Sequence, residues 1–154
     1  VEGDRIPTQQ QRAARAVKFV LDTNTVSFLM RGDPEVVTAL TSKERTDVLL
    51  PQSVVAEIEY GLARLGRSAR KTRLRCRFDV ILEEMKRIPW GNEVSRAFGA
   101  TKAVLGRCGL RVEDFDVAVA AHALAFDATL VTDNLRHPKR VPGLRLANWR
   151  PNAS

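Results

Sequence analysis

The sequence predicts an α/β protein built on a mostly parallel sheet with helices on both faces. Three observations carry this expectation. Short apolar runs with β-branched members alternate with stretches of helical periodicity, the pattern of successive strand–helix units. Two of those runs, ending at Leu21 and Thr132, are followed at once by an aspartate. The stretch from Asp114 to Phe126 is apolar around nearly its whole circumference, as a helix buried on several sides must be.

Each element follows from local chemistry. Val17-Lys18-Phe19-Val20-Leu21 reads as a strand, and Asp22-Thr23-Asn24 as the turn or cap that ends it. Thr25 to Met30 forms a short helix stopped near Gly32, and Pro34 opens the next, through about Arg45. Val48-Leu49-Leu50 is a second strand, ended by Pro51. Gln52 to Leu65 is helical, with Val55, Ile58, Leu62 and Leu65 on one apolar stripe. Residues 68–86 form a further helix, and Arg87-Ile88 a brief strand before Pro89. Asn92 caps a helix running to about Arg107 and closed by Gly109. After the apolar helix, Thr129 to Thr132 is a strand, and Leu144-Arg145-Leu146 a last edge strand. No repeat or linker divides residues 17–150, which are expected to form a single domain, with residues 1–16 a polar, poorly ordered extension.

Composition narrows the class. A chain of 154 residues suits one domain with one core. No apolar run approaches the roughly 18 residues that span a bilayer, and the first 16 residues lack the apolar centre of a secretory signal. A cytoplasmic protein is expected. Cys76 and Cys108 have neither CxxC spacing nor a neighbouring His, and read as ordinary thiols. The net charge of +7 fits an anionic partner, nucleic acid being the commonest, although charge also serves solubility.

The acids are the most informative residues. In a parallel sheet, ligands bind beyond the carboxyl ends of the strands. If the first strand and the Thr129–Thr132 strand are neighbours, Asp22 and Asp133 face one crevice; each also serves as a helix cap or turn former. Asp116 sits in the first turn of the apolar helix. The helix N-terminus favours a carboxylate there, but a buried one needs a partner. No basic residue lies between Asp114 and Asp133, so a metal ion is a natural partner. Asp114 is expected to cap that helix. Glu57 and Glu59 lie at opposite edges of the stripe on helix 52–65, about 200° apart. Periodicity does not choose between them; Gly61, one turn after Glu57, favours close approach on the Glu57 face. Like charges a few ångströms apart repel by about 4 kcal/mol at an effective dielectric near 20. A gathering of acids therefore calls for a hard cation, Mg²⁺ or Mn²⁺. With only His122 and His137 in the chain, no zinc set is available.

The ordered set VLDTN (20–24), VVAEIEYGL (54–62), DVAVAAHAL (116–124) and LVTDN (130–134) resembles the PIN-domain ribonucleases, especially VapC-like toxins of type II toxin–antitoxin systems. The likeness covers about residues 17–150. It implies a three-layer α/β/α sandwich and a metal-dependent endoribonuclease. Asp22 and Asp116 then match the principal metal ligands. Glu57 and Asp133 match the other pocket acids, binding metal directly or through water. Thr23, Asn24 and Asn134 match residues that orient the site or the scissile phosphate. The resemblance also implies a homodimer and a cognate antitoxin. Phe115 stands where many relatives carry Asn.

Residues 64–77 hold Arg64, Arg67, Arg70, Lys71, Arg73, Arg75 and Arg77 without an acid. They are candidates for an RNA-backbone clamp, with a solvated helical face or an antitoxin-binding surface as the other readings. His122 reads as a packed core histidine, and Trp90 and Trp149 as core or interface residues. Two rival functions stand beside the nuclease. One is an inactive PIN-like module that binds RNA or protein. The other is an aspartyl-phosphate-type phosphatase, for which Asp22-Thr23-Asn24-Thr25-Val26 supplies the first acid but places Asn24 where the second is needed.

Overall fold

The computed structural model describes residues 17–152; the N-terminal extension lies outside the described residues. The strands are β1 (Phe19–Leu21), β2 (Val48–Pro51), β3 (Lys86–Ile88), β4 (Thr129–Val131) and β5 (Arg145–Ala147). The helices are α1 (Thr23–Met30), α2 (Pro34–Thr41), α3 (Gln52–Arg64), α4 (Ala69–Glu84), α5 (Asn92–Arg107) and α6 (Asp114–Ala125). They form a three-layer α/β/α sandwich around one five-stranded sheet of order β3-β2-β1-β4-β5. Every strand pair is parallel, including edge strand β5.

The register fixes the site. Leu21 pairs with Val131 across β1 and β4, so the residues that follow, Asp22 and Thr132-Asp133, leave the sheet at the same edge. The strand order reverses between β1 and β4, and ligand crevices form at such a switch point. Val20, Leu21, Leu49, Leu50, Leu130 and Val131 are all buried. This explains why the central strands read as continuous apolar runs rather than alternating ones. Helix α6, buried from Val117 through Ala123, packs on α3, α5, β1 and β4. Its apolarity on all sides follows from this.

Several boundaries differ from the sequence reading, and three are instructive. Helix α2 stops at Thr41, short of Arg45. The Ser42 hydroxyl donates back to Ala39 O at 2.6 Å, while Lys18 Nζ donates to Thr46 O and Asp47 Oδ1, both at 3.1 Å. This tertiary tie holds Arg45–Asp47 as a separate 3-10 turn feeding β2. Helix α5 is capped by Gly91, with Asn92 already inside it. Helix α6 is capped by Glu113 rather than Asp114; the Asp114 carboxylate is drawn to Lys102 Nζ at 2.7 Å. Gly32 and Gly109 end their helices at φ +75° and +72°, a conformation that suits glycine.

The expectations for His122 and Trp149 hold, whereas Trp90 is not a core residue. His122 is wholly buried, and its Nδ1–H donates to Ala118 O at 2.8 Å. Burial pushes its pKa down, against that hydrogen bond. Trp149 is buried against Phe19, ring centres 5.6 Å apart. Trp90 is exposed at the surface while one edge-on contact ties it to His122 at 5.7 Å. Both cysteines are exposed free thiols. Among the described residues no helix is long and apolar enough to cross a membrane.

Candidate functional site

Asp22 is the N-cap of α1. Its Oδ1 accepts the Thr25 N–H at 2.7 Å, and its own N–H donates to Val131 O at 3.1 Å. Thr25 Oγ1 donates to the same Val131 carbonyl at 3.2 Å. The switch point is thus stitched at the place where Asp22 emerges. Burial pushes the Asp22 carboxyl above its ordinary pKa. Hydrogen bonds from Thr25 and Thr132 oppose that rise, and the charge of Asp133 adds to it.

Geometry separates the two glutamates of α3. Glu57 turns to the sheet edge, where Thr23 Oγ1 donates to its Oε1 at 2.6 Å. Burial raises its pKa, the Thr23 bond lowers it, and the charges of Asp116 and Asp22 raise it further. Glu59 faces away and holds Arg75, with Nη1 at 3.0 Å from Oε1; this pairing lowers its pKa. The expected reason for preferring Glu57 was wrong, because a Cβ on Gly61 would meet nothing within 4 Å. What distinguishes Glu57 in the fold is the Thr23 hydroxyl and its place near Asp22 and Asp116, not close approach at Gly61.

Asp116 opens on a cleft of about 110 Å³ whose lining includes Asp22, Asn24, Asp116, Thr132, Asn134 and His137. Burial raises the Asp116 pKa and the Glu113 charge adds to it, while His137 lowers it. Asn134 N–H donates to Thr132 Oγ1 at 3.1 Å, which turns the chain after β4 so that Asn134 reaches the cleft. Asp133 is exposed and outside the lining; it acts on the site through its field at Asp22. Glu57 therefore feels the charges of both Asp116 and Asp22, and those two aspartates line one cleft. Among the described residues, however, no three acidic, histidine or cysteine side chains enclose an ion-sized space as they stand.

The donor set nonetheless fits a hard cation. Desolvation, with a neighbouring like charge in each case, holds three carboxylates above their ordinary pKa, and no salt bridge to Lys or Arg relieves any of them among the described residues. Sequence reasoning missed Thr132, His137 and Glu113. The Thr132 signal lay in LVTDN, where the hydroxyl precedes the acid. For His137 only the fold supplies one: its Nδ1 is buried without a hydrogen-bond partner beside the cleft.

The basic segment divides. Arg75 is bound to Glu59 and Asp79, Arg77 Nη1 donates to Met30 O at 2.9 Å, and Lys71 Nζ donates to Leu65 O at 3.1 Å. Arg64, Arg67, Arg70 and Arg73 are exposed and form no salt bridge among the described residues.

A parallel sheet with this strand order, carrying desolvated acids after β1, on α3 and at the head of α6, defines a PIN-type domain. The family model of the PIN domain matches residues 19–144, and the chain belongs to that family. It is 30% identical over 134 residues to a protein named Ribonuclease VapC2 from Rickettsia felis, covering 85% of this chain and 97% of the relative. It is 26% identical over 133 residues to a tRNA(fMet)-specific endonuclease VapC from Salmonella typhimurium, covering 86% and 98%. The solved structure of VapBC2 from Rickettsia felis, bound to a promoter DNA fragment, superimposes with a TM-score of 0.77 at 28% identity. That match covers 86% of this chain and 99% of the other.

Proposed function

We propose that this chain is an endoribonuclease that hydrolyses RNA phosphodiester bonds and acts as the toxin of a toxin–antitoxin pair. The observation that carries the reading is the shared cleft of Asp22 and Asp116, with Glu57 held beside them by Thr23, all three desolvated and with no Lys or Arg salt bridge among the described residues. It is supported by membership of the PIN family and by relatives named as VapC ribonucleases.

Asp22 and Asp116 would hold Mg²⁺ or Mn²⁺, with Glu57 and Asp133 binding directly or through water. When bound, the ion supplies an activated water for in-line attack and offsets charge developing on the leaving oxygen. The chain's own groups prepare that site. The Thr25 N–H fixes the Asp22 carboxylate through its Oδ1. Thr23 sets the rotamer of Glu57. Asn24 and Asn134 line the cleft as donors for a phosphate oxygen. Exposed Arg64, Arg67, Arg70 and Arg73 offer cations to the rest of the polyanion.

The remaining assignments are a single domain over residues 17–150 preceded by an N-terminal extension, a homodimer, a cytoplasmic location and a cognate antitoxin. The test is expression of the parent and Asp22→Ala proteins in a bacterial host, with new RNA ends sequenced. Growth arrest and new 5′ ends confined to the parent are expected. Equal growth and identical RNA ends for both proteins would remove the proposal.

A further inference from the structure

The segment that follows β4 is a run of tight turns. Asn134 N–H donates to Thr132 Oγ1 at 3.1 Å, and Arg136 N–H donates to Asn134 Oδ1 at 3.3 Å. Arg140 N–H donates to His137 O at 2.9 Å, closing the 3-10 turn Pro138–Arg140. Beyond it Val141 is buried against Leu105 and Val117, and Val117 is the residue next to Asp116. The segment is thus pinned to β4 at one end and to the helix that carries Asp116 at the other. Asn134 and His137 line the acid cleft from it, and His137 lies within electrostatic reach of Asp116. Each presents a definite group. Asn134 Oδ1 is engaged by Arg136, so the free end of that amide is its NH₂. The His137 ring is half-buried, with Nδ1 enclosed and without a hydrogen-bond partner, whereas Nε2 is not enclosed in this way. A proton on Nδ1 would be a buried donor with no acceptor, and such N–H groups are rarer in folded proteins than unpaired acceptors. The neutral ring therefore carries its proton on Nε2.

We propose that His137 is a catalytic residue outside the carboxylate set, its Nε2–H donating, beside the Asn134 amide, to a non-bridging oxygen of the scissile phosphate. This rests on the ribonuclease reading above and adds a residue and a role to it. A phosphate suits the arrangement better than a shared ion does. Among the described residues no three acidic, histidine or cysteine side chains enclose an ion-sized space, so His137 does not converge with the acids on one cation. A phosphate group is larger. It can meet an ion on the carboxylates through one oxygen and a nitrogen donor through another. In phosphoryl transfer the charge spreads over the equatorial oxygens of the phosphorus. Donors already fixed in place stabilise that charge without reorganising as it develops. The turns between Thr132 and Val141 supply that fixity for two N–H donors three residues apart.

The first measurement needs neither RNA nor metal. Long-range ¹H–¹⁵N correlation on the whole chain, above the ordinary histidine pKa, reads which ring nitrogen carries the proton. The chain has two histidines, and His122 donates from Nδ1. The two rings are expected to show opposite tautomers, with His137 identified by its loss in His137→Gln. An Nδ1–H signal for His137 overturns the proposal. Cleavage is then followed with protein in excess on a transcript of the RNA that the parent cuts in the expression test. His137→Leu is expected to lower the maximal rate roughly 100- to 1000-fold without moving the half-saturating concentration. His137→Gln keeps an N–H donor and is expected to recover most of that loss. Mn²⁺ affinity, measured by calorimetry without RNA, is expected to be equal in all three proteins. A Leu variant that cuts at the parental rate overturns the proposal. So does one whose Mn²⁺ affinity falls with its rate, which makes His137 a ligand of the ion. A Leu variant that melts well below the parent, with no recovery of rate in the Gln variant, makes the residue structural and also overturns it. These outcomes leave the ribonuclease reading standing, whereas a parent that produces no new RNA ends removes that reading and this one with it.

Discussion

Asp22 has two roles that substitution can separate. Its Oδ1 caps α1 through the 2.7 Å bond from Thr25 N–H, and its charge sits desolvated in the cleft. Asp22→Asn keeps an acceptor at the cap and removes the charge; Asp22→Ala removes both. Losing an N-cap costs about 1 kcal/mol, or roughly 2–4 °C of melting temperature for a domain of this size. Without metal at pH 7, the Asn variant is expected to melt at or above the parent, and the Ala variant to melt below the Asn variant by that amount. The sign follows from protons. The folded carboxyl has a raised pKa, so the native state holds its proton to higher pH than the unfolded chain. The stability this confers is present at low pH and lost as pH rises through the folded pKa. The difference between parent and Asn variant should therefore close as pH falls toward about 4. Divalent metal reverses the order. At about a hundred times Kd it adds about 2.7 kcal/mol to a protein that binds it only when folded. That is roughly 5–10 °C for the parent, and neither variant should gain it. The assay is thermal unfolding by circular dichroism in EDTA and in Mg²⁺ or Mn²⁺. An Asn variant that melts as low as the Ala variant in EDTA, or variants that keep the whole metal-induced rise, would refute the two-role account.

Further outcomes follow from other contacts. Thr23→Val removes the 2.6 Å bond to Glu57 and should slow single-turnover RNA cleavage while barely moving the melting temperature; Thr23→Ser should restore the rate. Glu57→Gln should abolish cleavage, whereas Glu59→Gln should leave it intact and cost under about 1 kcal/mol, because its Arg75 pair is largely exposed. Phe78→Ala should cost about 3–5 kcal/mol by denaturant titration, since that ring is fully buried and anchors α4. His122 has its pKa lowered by burial, so the unfolded chain takes up a proton first as pH falls. The parent should lose stability below about pH 6.5, and His122→Leu should show a shallower loss in melts from pH 7 to 5.

What the sequence revealed follows from which interactions were local. The strands β1 and β4 were legible because a parallel strand buried on both faces is a continuous apolar run, and Asp22 and Asp133 because they end such runs. The Asp114 cap and the Arg45 helix end failed for one reason: a distant lysine decided each. Lys102 takes the Asp114 carboxylate, and Lys18 pins Thr46 and Asp47. A propensity worth about 1 kcal/mol at a cap yields to such a tertiary contact. His137 was invisible because its significance lies in a buried nitrogen beside a cleft that forms only when β4 reaches β1.

The same reasoning explains why Glu57 and Glu59 look alike in the sequence and differ in the fold. Both stand at the edge of an apolar stripe, and helical periodicity treats the edges alike. Their partners differ in origin. Thr23 is the first residue of α1, fixed by the Asp22 cap, so it reaches α3 only because β1 and β2 are neighbours in register. Arg75 belongs to the helix that follows α3 and reaches Glu59 across the α3–α4 packing. One glutamate is paired with a cation. The other receives only a hydroxyl proton, which orients a carboxylate without cancelling its charge. An oriented, uncancelled carboxylate beside Asp22 and Asp116 is what a divalent cation requires of its surroundings.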